Sequence, residues 1–255
     1  MRKILFSLLA IGGASAFAAT DYSQFQAFDD EVSVGWGMKQ DTVTAIGGGE
    51  NNTSSSNIVN LEGERLLNNG IWIDVNAGMT FGQGSTSTNG AQEPVISDYG
   101  VNGKVGYAFQ VADTHLLLTP YGLAGLNNNG IADGPLNGIA TSTSSTTTSN
   151  QFYYTAGVGG RIEYRINTAI LVFADQNAAY NWDQTGYNNG IQPQNMYAFT
   201  STLGVKFNIV KDFQVGVKGF YTSYQPDSSS GTASGVAYPQ AQSTVGGLVS
   251  IGLTY

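Results

Sequence analysis

The sequence offers few residues that could perform acid-base or nucleophilic chemistry. It contains one histidine, His115, and no cysteine. A Ser-His-Asp arrangement needs a nucleophile and an orienting carboxylate around the imidazole, and nothing in the sequence pairs with His115 in this way. The absence of cysteine excludes thiol redox chemistry and thiolate metal sites. We therefore expect no enzymatic activity and interpret His115, beside a predicted turn, as an interfacial residue.

Cofactor motifs are equally scarce. The glycine-rich segment from Gly157 to Gly160 has the composition of a phosphate loop. It falls within a predicted strand, however, and a phosphate loop needs the N-terminus of a following helix. Histidines and carboxylates do not cluster at metal-ligand spacing. The sequence therefore predicts no cofactor and no metal.

Charged side chains make up the candidate site. Only 11% of residues are charged, and most of those in predicted strands fall on the polar face, toward the ends that carry short turns. Unpaired charges in a narrow interior would be costly, so we expect acids and bases to pair. We propose that this charge band narrows or closes a lumen, with simple stabilisation of the protein as the alternative role. Its members are Glu62, Glu64, Asp74, Lys104, Arg161, Glu163, Asp175, Lys206 and Lys218.

The N-terminus has the pattern of a secretory signal. Arg2 and Lys3 precede a short apolar run over residues 4–11, and Ala16-Phe17-Ala18 supplies a small-x-small cleavage pattern. The run is too short to span a membrane. We expect a signal peptide over 1–18, a short periplasmic segment over 19–30 and one domain over 31–255.

Charge argues against a nucleic-acid partner. Removal of the signal takes away two basic residues, leaving eight against 18 acidic ones and a formal net charge of −10. Binding to phosphates requires clustered Lys and Arg, which are absent.

Strands are predicted by alternation of apolar and polar residues at period two. Residues 31–39, for example, place Val32, Val34, Trp36 and Met38 on one face. A bulge or an unpaired site is expected at Pro120, because proline lacks a ladder donor. The ten predicted strands cover 31–39, 58–66, 71–81, 99–109, 116–126, 152–164, 170–182, 197–207, 213–221 and 245–255.

The connections alternate in length. Short ones fall near 67–70, 111–114, 165–168 and 210–212, and long ones rich in Gly, Ser, Thr, Asn and Pro cover 41–57, 82–96, 127–150, 183–194 and 225–242. Short turns on one side and long loops on the other are typical of an outer-membrane barrel. Closure removes the unpaired edges that lipid would not tolerate. We predict an all-β, antiparallel, up-and-down transmembrane β-barrel of about ten strands, with short periplasmic turns and long extracellular loops.

A soluble β-sandwich is the competing fold. Its bulky apolar face would point inward, yet the opposite face here consists mainly of Gly, Ala, Ser, Thr and Asn. Such small residues would pack poorly as the core of a soluble protein, but they suit the lining of a barrel whose apolar face meets lipid. Aromatic residues also concentrate toward both strand ends, as interfacial girdles require.

The last strand carries a family resemblance. Residues 245–255 alternate apolar side chains and end in an aromatic residue, through Val249, Ile251, Leu253 and Tyr255. This ending resembles the terminal strand of Gram-negative outer-membrane proteins, and the whole chain is similar in architecture to small porins and opacity-type barrels. The resemblance implies that these four residues form an assembly signal read by the barrel-assembly machinery. It also implies an outer-membrane location, with membrane lipid and lipopolysaccharide as surroundings.

Two functions remain open on the sequence, and we expect the first of them, with the second as the alternative. One is a small porin-like passive channel for ions or small solutes, favoured by the small lining residues. The other is a structural or surface-display barrel whose extracellular loops mediate adhesion or envelope integrity, favoured by the charge band and the loop lengths. Homo-oligomerisation and a surface ligand bound by the loops are compatible with either.

Overall fold

A computed structural model describes residues 22–44, 52–83, 94–111, 114–131, 149–183, 195–227 and 241–255. The predicted signal peptide lies outside the described residues, and so do the central parts of the five predicted long loops. The structure consists of one short helix, α1, followed by strands that are all antiparallel to their neighbours.

All ten predicted strands are confirmed, and most of them extend further at the loop end than alternation alone indicated. After helix α1 (Ser23–Asp29), the strands are β1 (Glu31–Thr44), β2 (Asn52–Leu66), β3 (Ile71–Gln83), β4 (Pro94–Tyr107), β5 (Phe109–Gln110), β6 (Leu116–Ile131), β7 (Ser149–Arg165), β8 (Ile170–Asp183), β9 (Met196–Val210), β10 (Phe213–Pro226) and β11 (Ala241–Thr254). The two-residue β5 continues the line of β4, so the sheet has ten strands.

The sheet closes on itself. Each strand pairs with its chain neighbours, β4 and β5 both pair with β6, and β1 pairs with β11 from Glu31↔Thr254 to Thr44↔Ala241. The predicted closed, up-and-down antiparallel barrel is therefore confirmed. The short connections also lie where they were predicted, with Gly70 at a φ of 84° in the turn between β2 and β3.

The ladder is interrupted beside Pro120, as predicted. The pairing between β4 and β6 ends at Gly106↔Tyr121. The pairing between β5 and β6 begins at Phe109↔Leu118, and the register is unchanged. Between them, Ala108 donates its N–H to the carbonyl of Gly70 instead. The site is thus a local break in pairing without a bulge.

The outer wall is apolar. Along β1, Val34, Trp36 and Met38 are 57%, 65% and 61% exposed, whereas the intervening Ser33 is buried. The same alternation runs around the barrel and exposes aromatic side chains near both strand ends, among them Tyr107 and Tyr154. An apolar exterior over a polar interior is the arrangement that a lipid bilayer stabilises. Among the described residues, no helix is long and apolar enough to cross a membrane.

Helix α1 was not anticipated by the sequence. It lies in the segment assigned to a short periplasmic tail, and its Phe25 and Phe28 are completely buried. Both rings pack into one cluster with Leu66, Trp72 and Leu117, which point inward at the short-turn end of their strands. The helix therefore occupies the turn-side end of the lumen.

Candidate functional site: the lumen

All nine residues of the charge band face the interior, and each of them takes part in at least one ion pair. The pairs form two groups at different depths. The deeper group, which is centred on Arg161 and Lys206, surrounds α1. The second group, which is centred on Lys104 and Lys218, forms the floor of a cavity on the loop side.

Arg161 is the centre of the deeper group. Its Nη2 atom lies 2.5 Å from Glu163 Oε1, 3.2 Å from Glu64 Oε1 and 3.8 Å from Asp29 Oδ1. The guanidinium also lies over the ring of Phe173, 4.4 Å from its centroid, which adds a cation–π contact. Strands β2 and β7 and helix α1 are thereby held to a single cation.

Lys206 on β9 is the second cation of the deeper group. Its Nζ lies 2.7 Å from Glu64 Oε2 and 3.3 Å from both Asp29 Oδ1 and Glu31 Oε1. It also donates to the carbonyl of Phe28 at 3.0 Å. Asp29 and Glu31 were missed by the sequence analysis, because Asp29 precedes the first strand and Glu31 begins it.

Three carboxylates of this group resemble a metal-ligand set in spacing alone. Oxygen atoms of Asp29, Glu64 and Glu163 lie within 4.8 Å of one another. The cationic groups of Arg161 and Lys206 already contact them at ion-pair distance. The geometry is therefore that of a mixed-charge cluster.

The deeper group contains more carboxylates than cations, and this excess affects the pKa of Asp29. Burial raises the pKa of the Asp29 carboxyl well above its ordinary value, and the neighbouring Glu163 and Glu64 raise it further, against the opposing effect of Lys206 and Arg161. Its Oδ2 atom is buried and has no hydrogen-bond partner among the described residues. Neutralisation by a proton is the simplest way for this site to hold four carboxylates with two cations.

Side chains of the wall also bind the backbone of α1. Gln214 donates to the carbonyl of Phe28 at 3.2 Å, and Asn208 donates to that of Ala27 at 2.9 Å. These acceptors are the last carbonyls of the helix, which have no partner within it. On the other side, Gln26 donates to the carbonyl of Leu66 at 2.8 Å. The helix is thus held by specific polar contacts as well as by burial.

The second group of ion pairs lies nearer the loops. Lys104 is 3.1 Å from Asp74 and 3.3 Å from Asp175, and Lys218 pairs with Glu62. Tyr121 donates its hydroxyl hydrogen to Asp175 at 2.6 Å. The Lys104–Asp175, Lys218–Glu62 and Tyr121–Asp175 contacts join strands that are not neighbours in the sheet.

A glycine makes room for Tyr121. A Cβ atom at Gly159 would lie 2.4 Å from Cζ of the tyrosine ring, so only glycine fits there. The next residue, Gly160, points the other way, where a Cβ would meet no atom of the described part of the chain within 4 Å. Packing against Tyr121 therefore explains Gly159, whereas the space around Gly160 does not require glycine.

A cavity of about 390 Å³ lies above these pairs. We call it the cup. Asparagine amides and threonine hydroxyls line its wall together with apolar side chains such as Leu123 and Leu248, and its floor contains Glu62, Lys104, Asp175 and Lys218. The sequence predicted a polar face of mainly Gly, Ala, Ser, Thr and Asn, and asparagine and threonine contribute most of the polar side chains that line the cup.

Two asparagines of the cup form a reciprocal pair across β4 and β6. Asn102 and Asn127 each donate to the other's Oδ1 at 3.1 Å. Each side chain lies against a glycine of the facing strand, since a Cβ at Gly100 would be 2.2 Å from Asn127 Oδ1 and one at Gly125 would be 1.9 Å from Asn102 Oδ1. The glycines thus create the space for the amides.

The remaining predicted residues lie apart from the lumen. His115 is exposed at the turn side, with its Nδ1 3.1 Å from Arg165 Nη2. The assembly-signal residues point outward along β11, with Val249, Ile251, Leu253 and Tyr255 between 52% and 69% exposed. Their recognition during assembly, like the absence of enzymatic activity, remains a prediction.

The closed sheet, the apolar exterior and the charged interior define the class of this protein. It is an outer-membrane type of β-barrel that holds a helix in the turn-side end of its lumen.

Comparison of the sequence with protein-family models and with curated proteins gives no match. Among solved structures, the fold is similar to the outer membrane protease OmpT from Escherichia coli, with a TM-score of 0.42 and 8% identity over 89% of this chain and 96% of that one. It is also similar to the attachment invasion locus protein Ail of Yersinia pestis, with a TM-score of 0.37 and 12% identity over 88% of this chain and 98% of that one. A third similar structure is Neisserial surface protein A, with a TM-score of 0.36 and 8% identity over 88% of this chain and 97% of that one. These likenesses concern the architecture of small Gram-negative outer-membrane barrels and assign no activity.

Proposed function

We propose that the protein is a structural or surface-display barrel of the Gram-negative outer membrane, which does not conduct solutes while α1 is docked. The supporting observation is α1 itself, with Phe25 and Phe28 buried and Asp29 held by Lys206 and Arg161 in the turn-side end of the lumen. A ten-stranded barrel has a backbone radius of about 10 Å. A helix with its side chains is about 10 Å across and leaves little of such a lumen free.

Planar-bilayer recording tests closure. The full-length protein should show no large, steady conductance. Deletion of the central part of the 127–150 loop should leave this unchanged and should reduce attachment of intact cells to a host or abiotic surface. A large, steady conductance from the unmodified protein would contradict the proposal.

A porin-like passive channel is the second candidate, and the cup favours it. The cavity of about 390 Å³ extends down to the ion pairs of Lys104 and Lys218. Below those pairs, α1 belongs to the N-terminal segment, so it can leave the lumen without breaking the sheet. In this proposal, ions or small solutes pass once α1 is displaced.

Liposome swelling with sugars of graded size separates the two candidates. Combined Phe25→Ser and Phe28→Ser substitutions should release α1 and allow uptake limited by solute size, if the protein is a channel. A disulfide between Ala27→Cys and Asn208→Cys, in a chain that has no other cysteine, should abolish uptake until it is reduced. No uptake by the released form would leave the structural role as the better proposal.

The environment proposed for the barrel follows from its class. Membrane lipid and lipopolysaccharide would surround the apolar wall, the barrel-assembly machinery would insert the chain, and a cleaved signal peptide would export it. Homo-oligomers and a ligand of the extracellular loops remain proposals. Blue native electrophoresis in mild detergent checks the first, and binding to cells with shortened loops checks the second.

A further inference from the structure

We infer that the cup binds a neutral, polyhydroxylated solute of mono- or disaccharide size. This goes beyond both functions proposed above and does not depend on whether α1 is docked. The inference rests on the chemistry of the wall, its preorganisation, the neutralisation of its charges and its volume.

The wall offers neutral hydrogen-bonding groups from many strands. An amide side chain provides two donors and an acceptor oxygen, and a threonine hydroxyl both donates and accepts. Such groups match sugar hydroxyls, which also both donate and accept hydrogen bonds. The amides that line the cup are those of Asn60, Asn76, Asn102, Asn127, Asn177 and Asn181.

Several of these groups are already held in place. Besides its reciprocal bonds with Asn102, Asn127 donates to Thr155 Oγ1 at 2.9 Å, and Thr155 donates to Asn181 Oδ1 at 2.6 Å. These bonds use only part of the capacity of each amide. Side chains fixed before binding lose less entropy when a ligand arrives, which favours recognition.

The cationic side chains that line the cup are paired with carboxylates of the protein. Lys104 pairs with Asp74 and Asp175, and Lys218 pairs with Glu62. Near the loops, Lys39 lies 3.0 Å from Asp41. A charged solute would have to lose its hydration and compete with these pairs, whereas a neutral one would not.

Size and apolar surface agree with the same ligand class. The volume of about 390 Å³ is within the range of roughly 300 to 1,000 Å³ found for small-molecule pockets. Phe173 and Phe220 also line the cup. Aromatic rings beside amides suit a ligand that has C–H faces between its hydroxyls.

Isothermal titration calorimetry tests the inference. The full-length protein, in a zwitterionic detergent without a sugar headgroup, is titrated with glucose, maltose, glucuronate and glucosamine. Maltose or glucose should bind saturably and more tightly than either charged sugar. Loss of one or two hydrogen bonds should weaken binding about fivefold or more, since each is worth roughly 1 kcal/mol.

The matched variants are neighbours on β8. Asn177→Leu removes an amide from the cup, whereas Gln176→Leu removes one from the outer face of the same strand. Asn76→Leu removes a second cup amide from β3 and repeats the test in case Asn177→Leu fails to fold. The neutral sugar should lose affinity in both asparagine variants and keep it in the glutamine variant.

Three outcomes would overturn the inference. They are no saturable heat with glucose or maltose, tighter binding of a charged sugar, and equal weakening by Gln176→Leu. Because the titration needs no conductance, each outcome is distinct from a failure of the structural or channel proposals.

Discussion

At the scale of single residues, the lumen is organised by cations that each serve several carboxylates. Lys206 and Arg161 are 5% and 3% exposed, and between them they contact Asp29, Glu31, Glu64 and Glu163. Removing one partner from such a cluster leaves a charge that water cannot reach. Substitution of one of these side chains should therefore lower the free energy of unfolding far more than substitution of a charged side chain on the surface.

Replacement of Lys206 tests this dependence. Lys206→Met should lower the free energy of unfolding by about 3–5 kcal/mol, because Asp29, Glu31 and Glu64 would lose a buried cation. Urea titration of the refolded protein measures the loss. Lys211→Met, in the exposed turn between β9 and β10, is the matched control and should change stability little. Equal effects of the two substitutions would contradict the prediction.

Adjacent glycines on β7 give a second test. Gly159→Ala places a Cβ against the Tyr121 ring and should cost about 1–3 kcal/mol. Gly160→Ala places the same atom in open space and should cost much less. Unfolding of both variants is compared by urea titration. If the ring is the cause, Tyr121→Ala should reduce the penalty of Gly159→Ala in a double-mutant cycle, and an unreduced penalty would show that it is not.

At the scale of elements, α1 depends on its surroundings. Seven residues are too few for a stable helix in water. The helix is stabilised by the burial of Phe25 and Phe28. It is also stabilised by hydrogen bonds to its backbone from Lys206, Asn208 and Gln214. Docking is therefore sensitive to the ionisation of Asp29, the last residue of the helix.

The pH dependence follows from the raised pKa of Asp29. The folded protein retains this proton at pH values where the unfolded chain, with an ordinary pKa near 3.8, has released it. The stability that Asp29 contributes is therefore fully present below that value and is lost as pH rises through the raised pKa. Wild type and Asp29→Asn should be similarly stable at pH 4, and the variant should become relatively more stable toward pH 8.

Urea unfolding of both proteins across this range measures the difference. The comparison isolates Asp29 because all other titrating groups are common to both chains. The opposite trend, in which Asp29→Asn loses stability relative to wild type as pH rises, would show that ionised Asp29 acts mainly as a partner of Lys206.

The elements also show what the sequence could predict. Alternation located all ten strands, because each has one face in contact with an apolar surrounding, and it placed every member of the charge band inside. It could not indicate α1, since a single turn or two of helix has too few positions for a period of 3.6 residues to emerge. Nor could it join Arg161 to Glu64 and Asp29, because that contact depends on how far across the lumen the side chains reach.

At the scale of the whole molecule, the exterior carries the predicted signal for assembly. Tyr255→Ser should slow insertion of the barrel, because the resemblance to outer-membrane proteins places a recognised aromatic residue at the end of the chain. Folding into lipid vesicles with added assembly machinery is followed by the shift in electrophoretic mobility. Tyr107→Ser removes an exposed aromatic residue from the same end of the barrel and serves as the control. Equal slowing by both would contradict a terminal signal.

The pairing of β1 with β11 has a consequence for the order of folding. Its contacts join Glu31 to Thr254, and the N–H of Tyr255 donates to the carbonyl of Asp30. Contacts between such distant residues carry a high entropic cost and form slowly. The seam cannot form until β11 is available, so one edge of β1 stays unpaired until then. Any chain that stops short of β11 would keep that edge, and would be exposed to aggregation and proteolysis instead of reaching a closed state.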